Sequence, residues 1–194
     1  DPAPMNGSQL FGVLYGSQFK FDKEKMPAEI DALREKLMKE YEEGEKPERK
    51  KRILLTGCPS SGAPMKVVKA IEEHGGNVVV YENCGGAKSV DRLIDEDAED
   101  IYKAIAERYL AIGCSVMTPD NNRIELMGRL LEEYNIEGVV EMTLQACHTY
   151  NIEAKSIEKF VKSKGLPYIH VETDYSQADI GQLDTRIAAF LEMI

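Results

Sequence analysis

Four side chains in this sequence combine nucleophilicity with metal affinity: Cys58, Cys84, Cys114 and Cys147. A thiolate is both the reactive form of cysteine and a soft ligand, suited to iron-sulfur clusters, copper(I) or zinc and poorly suited to hard cations. No two of the four form a C-x-x-C pair, so their spacing fits neither a zinc ribbon nor a zinc finger. An even count would allow two disulfides, but disulfide scaffolds are small and cysteine-dense, and four cysteines in 194 residues are sparse. Reduced thiols in a cytoplasmic protein are expected. Cys147 stands beside His148 in TLQACHTYN, directly after the apolar run IEGVVEM.

The elements around the cysteines determine what they can do together. RILLTG, NVVVYE, IEGVVEMTL and PYIHVETD read as four strands, apolar along their length instead of at every second position. That pattern is expected when both faces of a parallel sheet are covered. Between them lie helical patterns: Val67, Val68 and Ile71 on one face; Ile101, Ile105 and Leu110 on another; RIELMGRLLEEY; a helix around Ile157 to Val161; and a last helix from about Gly181. Ahead of the first strand, one short helix around Ser8 to Leu14 and a longer one from Lys23 to Glu43 precede the charged connector EKPERKK. The expected fold is α/β: an open doubly wound parallel sheet of about four strands with flanking helices, plus an N-terminal helical segment. Residues 1 to 50 form the helical segment and connector, and residues 51 to 194 a flavodoxin-like or Rossmann-like domain.

In such a sheet the strands end on one edge, and ligands bind in the crevice outside their carboxyl ends. Cys58 follows RILLTG, Cys84 follows NVVVYE and Cys147 closes the third run, so three of the four should share that rim, joined by Glu172 and Asp174 from the fourth. Each also has a plainer reading. A cysteine near a strand end commonly packs as a small hydrophobe. His148 is an acid/base or ligand candidate or else a cap, and His74 and His170 read as helix-end and strand residues. Gly57, Gly62, Gly85 and Gly86 can cradle phosphate or merely permit tight turns, and neither loop matches a P-loop or G-x-G-x-x-G pattern.

The net charge of -10 and the lack of a basic patch exclude nucleic acid as a partner. No apolar run approaches the roughly 20 residues needed to span a bilayer. A membrane partner is not expected.

The segments RILLTGCP, ENCGGAK, LAIGCS, TLQACHTYN and VETDYSQADIGQLDTRIAAFLEM resemble, in order and spacing, the C-terminal part of the 2-hydroxyacyl-CoA dehydratase and benzoyl-CoA reductase subunit superfamily. GCP, ENC-G-G and LQACHTY are most similar to its double-cubane cluster protein branch. The resemblance implies an oxygen-sensitive iron-sulfur cluster, 4Fe-4S or double cubane, in a two-domain subunit whose N-terminal domain lies outside this chain. It also implies low-potential electrons from a separate ATP-hydrolysing iron-sulfur activator, a second subunit or homodimer partner, and an acyl-CoA or other small substrate. Carried over by motif, Cys147, Cys84, Cys58 and Cys114 become the metal ligands, with Cys147 foremost. Family members often read GCSC where this chain has GCSV, so Val116 stands in place of a second cysteine and cannot ligate iron. The isolated domain is then expected to be inactive.

Two readings compete with this one. One is a cluster-free α/β binding or scaffold domain with packed cysteines. The other is a flavin or nucleotide carrier, in which Tyr81 or Tyr150 would stack on the ligand.

Overall fold

The computed structural model describes residues 2–59 and 62–194, so Ser60 and Ser61 of the CPSSGAP loop lie outside the described residues. Strands β1 (Lys51–Gly57), β2 (Gly76–Tyr81), β3 (Gly138–Leu144) and β4 (Tyr168–Thr173) form one sheet in the order β2-β1-β3-β4. Every neighbouring pair is parallel. Eight helices accompany them among the described residues: α1 (Gly7–Gln18), α2 (Met26–Glu43), α3 (Ala63–Glu73), α4 (Ala87–Val90), α5 (Ile101–Leu110), α6 (Asn121–Glu133), α7 (His148–Ser163) and α8 (Ile180–Glu192).

Side chains on the two faces of the strands go to two separate cores. Ile53, Leu55, Val140 and Met142 pack with Val67 and Ile71 of α3 and with Ile187 and Phe190 of α8. Leu54 and Val139 point the other way, into Leu126, Met127 and Leu130 of α6 and Ile157 and Val161 of α7. This is the two-sided burial that runs of Val, Ile and Leu require. The runs are not wholly apolar, however. Glu141 lies in the middle of β3 and Glu82 just past β2, and both are completely buried. They alternate onto a surface that the hydrophobic pattern alone assigned to packing.

The N-terminal segment is more ordered than its weak periodicity predicts. Asn6 and Gln9 form a reciprocal capping box at 2.8 and 3.0 Å, which starts α1 one residue before Ser8. The helix runs on to Gln18, beyond the expected end at Leu14. It is tied to the sheet layer by Tyr81, whose hydroxyl donates to the Gly7 carbonyl at 2.8 Å, and by Ser8, whose amide and hydroxyl donate to Glu72. By contrast α2 buries no residue and carries exposed ion pairs at i,i+4 spacing, each contributing only a few tenths of a kcal/mol. The helix expected around Ile157 begins earlier, at His148.

Gly57 ends β1 with φ 109°, and a Cβ there would lie 2.0 Å from the Met142 carbonyl oxygen of β3. Only glycine lets the chain turn this close to its neighbouring strand. Gly57→Ala should therefore destabilise the fold by more than the roughly 1–3 kcal/mol of a single strained conformation, and should displace Cys58. Urea denaturation of the variant against the parent chain checks the first effect, and the alkylation rate of Cys58 the second.

Candidate functional site

The order β2-β1-β3-β4 puts β1 and β3 side by side while the chain leaves them in opposite directions, towards β2 and β4. That makes the gap between their carboxyl ends a topological switch point, the position where open α/β sheets bind ligands. Cys58 follows β1 and Cys147 follows Leu144 of β3 by three residues, so the two flank it. Their thiols are neighbours that act on each other's ionisation, and they form no disulfide.

The two sulfurs differ in electrostatic character. Cys58 is 3% exposed and its sulfur accepts the Leu144 amide at 3.4 Å. Burial pushes its thiol up to about 12, aided by the neighbouring Cys147 and Glu141, so it stays protonated. Cys147 is half-buried at the N-cap of α7, reached through Ala146 in the left-handed region at φ 64°. Partial burial opposes its ionisation. The Tyr150 amide, the Cys58 thiol and the Thr149 hydroxyl overcome that and hold it below the ordinary thiol range. A helix N-terminus is where a thiolate is most readily accommodated. The motif TLQACHTYN thus supplies a strand end, a strained turn and the first turn of a helix.

Cys84 is exposed and Cys114 half-buried, the latter in the loop that leads to α6. Both lie within electrostatic range of the Tyr150 hydroxyl in α7, so they converge on the same region without joining the Cys58 and Cys147 pair directly. Val116, the departure from the family pattern, is exposed.

Beneath this rim lies a charge network that pattern reading missed. Arg123 of α6 is fully buried, and its guanidinium donates to Glu82 at 3.3 Å, to Glu141 at 3.1 Å, to the Thr56 hydroxyl at 2.7 Å and to Glu153 of α7. Thr56 in turn donates to Glu82, and the Tyr168 hydroxyl donates to Glu141 at 2.7 Å. The buried Lys88 ammonium lies 3.3 Å from Glu82 and donates to the Tyr150 hydroxyl at 3.5 Å. The Tyr150 ring carries both cations on its π system, at 5.1 Å from Arg123 and 5.6 Å from Lys88. Burial works against the Arg123 charge, and the three carboxylates more than offset it. Burial also raises Glu141, against the pull of Arg123 and Tyr168. The available signal was in the sequence: Glu141 within a β-run and Arg123 on the apolar face of RIELMGRLLEEY are ionisable residues where core positions are expected.

The remaining candidates are engaged elsewhere. Glu172 accepts the Asn151 amide group at 2.8 Å and Asp174 accepts the Ser176 amide at 2.7 Å. His148 is exposed, His74 pairs with Asp184 at 2.7 Å, and His170 with Thr143 at 2.7 Å. Tyr81 and Tyr150 are buried at 1% and 6% exposure, which overturns them as stacking platforms for a flavin or nucleotide. Gly86 meets a structural demand: a Cβ there would lie 2.2 Å from the Tyr81 carbonyl oxygen.

As a donor set, two neighbouring thiols at a switch point, with two more thiols near Tyr150, suit a thiophilic metal and not a hard cation. They fit half of a cluster's ligands. Among the described residues no three His, Cys, Asp or Glu side chains converge as a metal cage, so further ligands would have to come from rearranged loops or a partner. No helix of the described residues is long and apolar enough to cross a membrane.

A parallel sheet with thiols paired at its switch point describes a class of α/β protein that works at its strand ends. Within that class the chain belongs to the family of the 2-hydroxyglutaryl-CoA dehydratase D-component, whose model matches residues 1–194. It is 48% identical over 195 residues to the "Putative dehydratase subunit YjiM" of Escherichia coli (strain K12), covering 100% of this chain and 51% of that protein. A benzoyl-CoA reductase subunit of Thauera aromatica is 23% identical over 161 residues, 78% of this chain and 36% of its own length. The beta subunit of (R)-2-hydroxyglutaryl-CoA dehydratase of Acidaminococcus fermentans is 25% identical over 104 residues, 51% of this chain and 27% of its own. The chain therefore spans about half the length of the first of these relatives, at 51%, and less of the other two.

Two outcomes follow from the geometry. Arg123→Met leaves Glu82, Glu141 and Glu153 without their shared cation and should cost about 3–5 kcal/mol in urea denaturation. Iodoacetamide should modify Cys147 well before Cys58 in the native chain, with the difference abolished on unfolding; mass spectrometry of timed digests reads both rates.

Proposed function

We propose that this chain is the iron-sulfur half of a dehydratase-type or reductase-type subunit, in which an ATP-driven activator supplies single electrons for a small substrate or acyl-CoA thioester. The observation that carries the reading is the neighbouring pair of Cys58 and Cys147 at the switch point between β1 and β3. Family membership over the whole chain supports it, since relatives include benzoyl-CoA reductase and 2-hydroxyglutaryl-CoA dehydratase subunits. Cys147 and Cys58 would hold a 4Fe-4S or double-cubane cluster, with Cys84 and Cys114 as further ligands. Such a group, when bound, supplies one-electron transfer at a low potential that depends on burial and hydrogen bonding around its sulfurs.

The chain's own residues prepare the site for that. The N-terminus of α7 and the Tyr150 amide favour ionisation of Cys147, and the neighbouring Cys58 thiol acts in the same direction. Metal binding would have to deprotonate Cys58, which its burial resists, so loading should depend more steeply on pH than Cys147 alone would require. Lys88 and Arg123 place positive charge beneath Tyr150, where added negative charge at the rim would be felt. The ligands not present here would come from the other half of the subunit or from a second subunit, which makes the isolated chain inactive towards substrate.

A second reading, a cluster-free binding or scaffold domain, is favoured by one observation. The Cys58 sulfur already accepts the Leu144 amide, as a packed thiol does.

Anaerobic reconstitution with iron and sulfide separates the two. Bound iron and visible absorption should appear in the parent chain, fall at least several-fold in Cys147→Ala, and rise in a chain extended to the length of its relatives. Absence of iron from both the parent and the extended chain would leave the scaffold reading.

A further inference from the structure

Asp120 caps α6 and Glu153 lies in the second turn of α7. One carboxylate oxygen of Asp120 accepts the Arg123 amide at 3.2 Å. The other is buried, and no donor among the described residues reaches it. The Glu153 carboxyl, itself held by the Arg123 guanidinium, lines one cavity with Asp120 and raises its proton affinity. Two carboxyl groups facing one cavity repel each other unless a proton is held between them. Both side chains line a cavity of about 340 Å³ together with Ser115 and Thr149, so that proton can exchange with solvent.

The placement of this pair gives it leverage. The segment entering Asp120 is the loop that carries Cys114, with Met117 donating to the Cys114 carbonyl at 2.8 Å. The helix carrying Glu153 is the one that begins at Cys147. We propose that Asp120 and Glu153 are positioning residues that share one proton and so fasten the Cys114 loop to the Cys147 helix, releasing the loop when the proton leaves. The proposal takes from the preceding reading only that Cys114 and Cys147 belong to one site.

The groups facing the pair set the direction of its response. Burial and Glu153 push Asp120 up to about 6, against the Arg123 amide and the Lys88 ammonium of α4. Behind the Arg123 guanidinium stand Glu82 after β2 and Glu141 of β3, with the Tyr168 hydroxyl of β4 on Glu141. A carboxyl raised above its unfolded value of roughly 3.9 binds its proton more tightly in the folded state. The fastening is therefore complete below that value and is lost as pH rises through about 6.

The test uses the whole chain without metal, in the parent and in Asp120→Asn. Asparagine caps α6 as well as aspartate does, and its amide can donate to Glu153 at every pH. Alkylation of Cys114 by iodoacetamide is timed at roughly pH 5 and about pH 7.5, either side of the transition. The ratio of parent to variant rate cancels the ionisation of the thiol itself. It should be near one at the lower pH and rise several-fold at the higher. Hydrogen exchange of the backbone amides in 114–118, measured in the same pair, should lose protection in the parent alone at the higher pH. A ratio that stays constant across this range overturns the proposal. Because no metal enters the experiment, that result would leave the cluster reading standing, and failure to bind iron would leave the fastening intact.

Discussion

The structure depends on the buried guanidinium of Arg123. Arg123 is placed by α6 in the layer that covers one face of the sheet, where it meets a carboxylate just past β2, one in β3 and one on α7, as well as the Thr56 hydroxyl of β1. Its contacts therefore connect three strands and two helices. A guanidinium has five donors in a planar fork, which a lysine at the same place would not offer. Hydrophobic packing can hold α6 against the sheet in several nearby positions, whereas these donors accept only one. The desolvation penalty of burying so much charge means that the network adds little to stability beyond a well-packed apolar core. Its consequence is geometric: the starts of α6 and α7 are fixed relative to the ends of β1, β2 and β3.

That geometry controls the thiols. Cys58 and Cys147 meet because β1 and β3 are adjacent and because the Ala146 turn starts α7 immediately beyond the strand. Their unequal proton affinities have separate origins. Cys58 is enclosed by the core, and Cys147 sits where the amides of a helix end point outward. Such a pair combines a thiol that ionises more readily than usual with a protonated neighbour, an asymmetry that two equally exposed cysteines would lack.

Much of this was legible in the sequence because it rests on local pattern. Four apolar runs separated by helical periodicity determine a parallel sheet, and the position of cysteines after those runs places them on its carboxyl edge. What pattern could not decide was which thiols meet, since strand order is a matter of long-range packing: Cys58 pairs with Cys147 because β1 neighbours β3, while Cys84 after β2 stays exposed. The capping box at Asn6 was short and polar, and so carried no periodic signal, although it gives α1 its start. Glu82, Glu141 and Arg123 were hidden by the averaging that makes a run read as apolar. A single charge inside such a run is weak evidence for a strand's burial and strong evidence for a partner across the layer.

The network also bears on the acidity of the rim, where Glu172 and Asp174 join the cysteines. Carboxylates near a thiolate-rich centre should repel it, and the rim of this sheet is surrounded by them. Of those nearest the cysteines, Glu82 and Glu153 are compensated by Lys88 and Arg123, and burial shifts Glu141 towards its neutral form. Asp120 is likewise raised, to about 6, by burial and Glu153. Lys88 and Arg123 thus offset part of the negative charge on the floor of the site, and low dielectric makes that local compensation matter more than the net charge of -10 carried largely at the surface. The exposed Glu172 and the half-buried Asp174 are screened by water instead. The acidic character of the chain as a whole is thus countered near this rim by the two buried cations that lie over the Tyr150 ring.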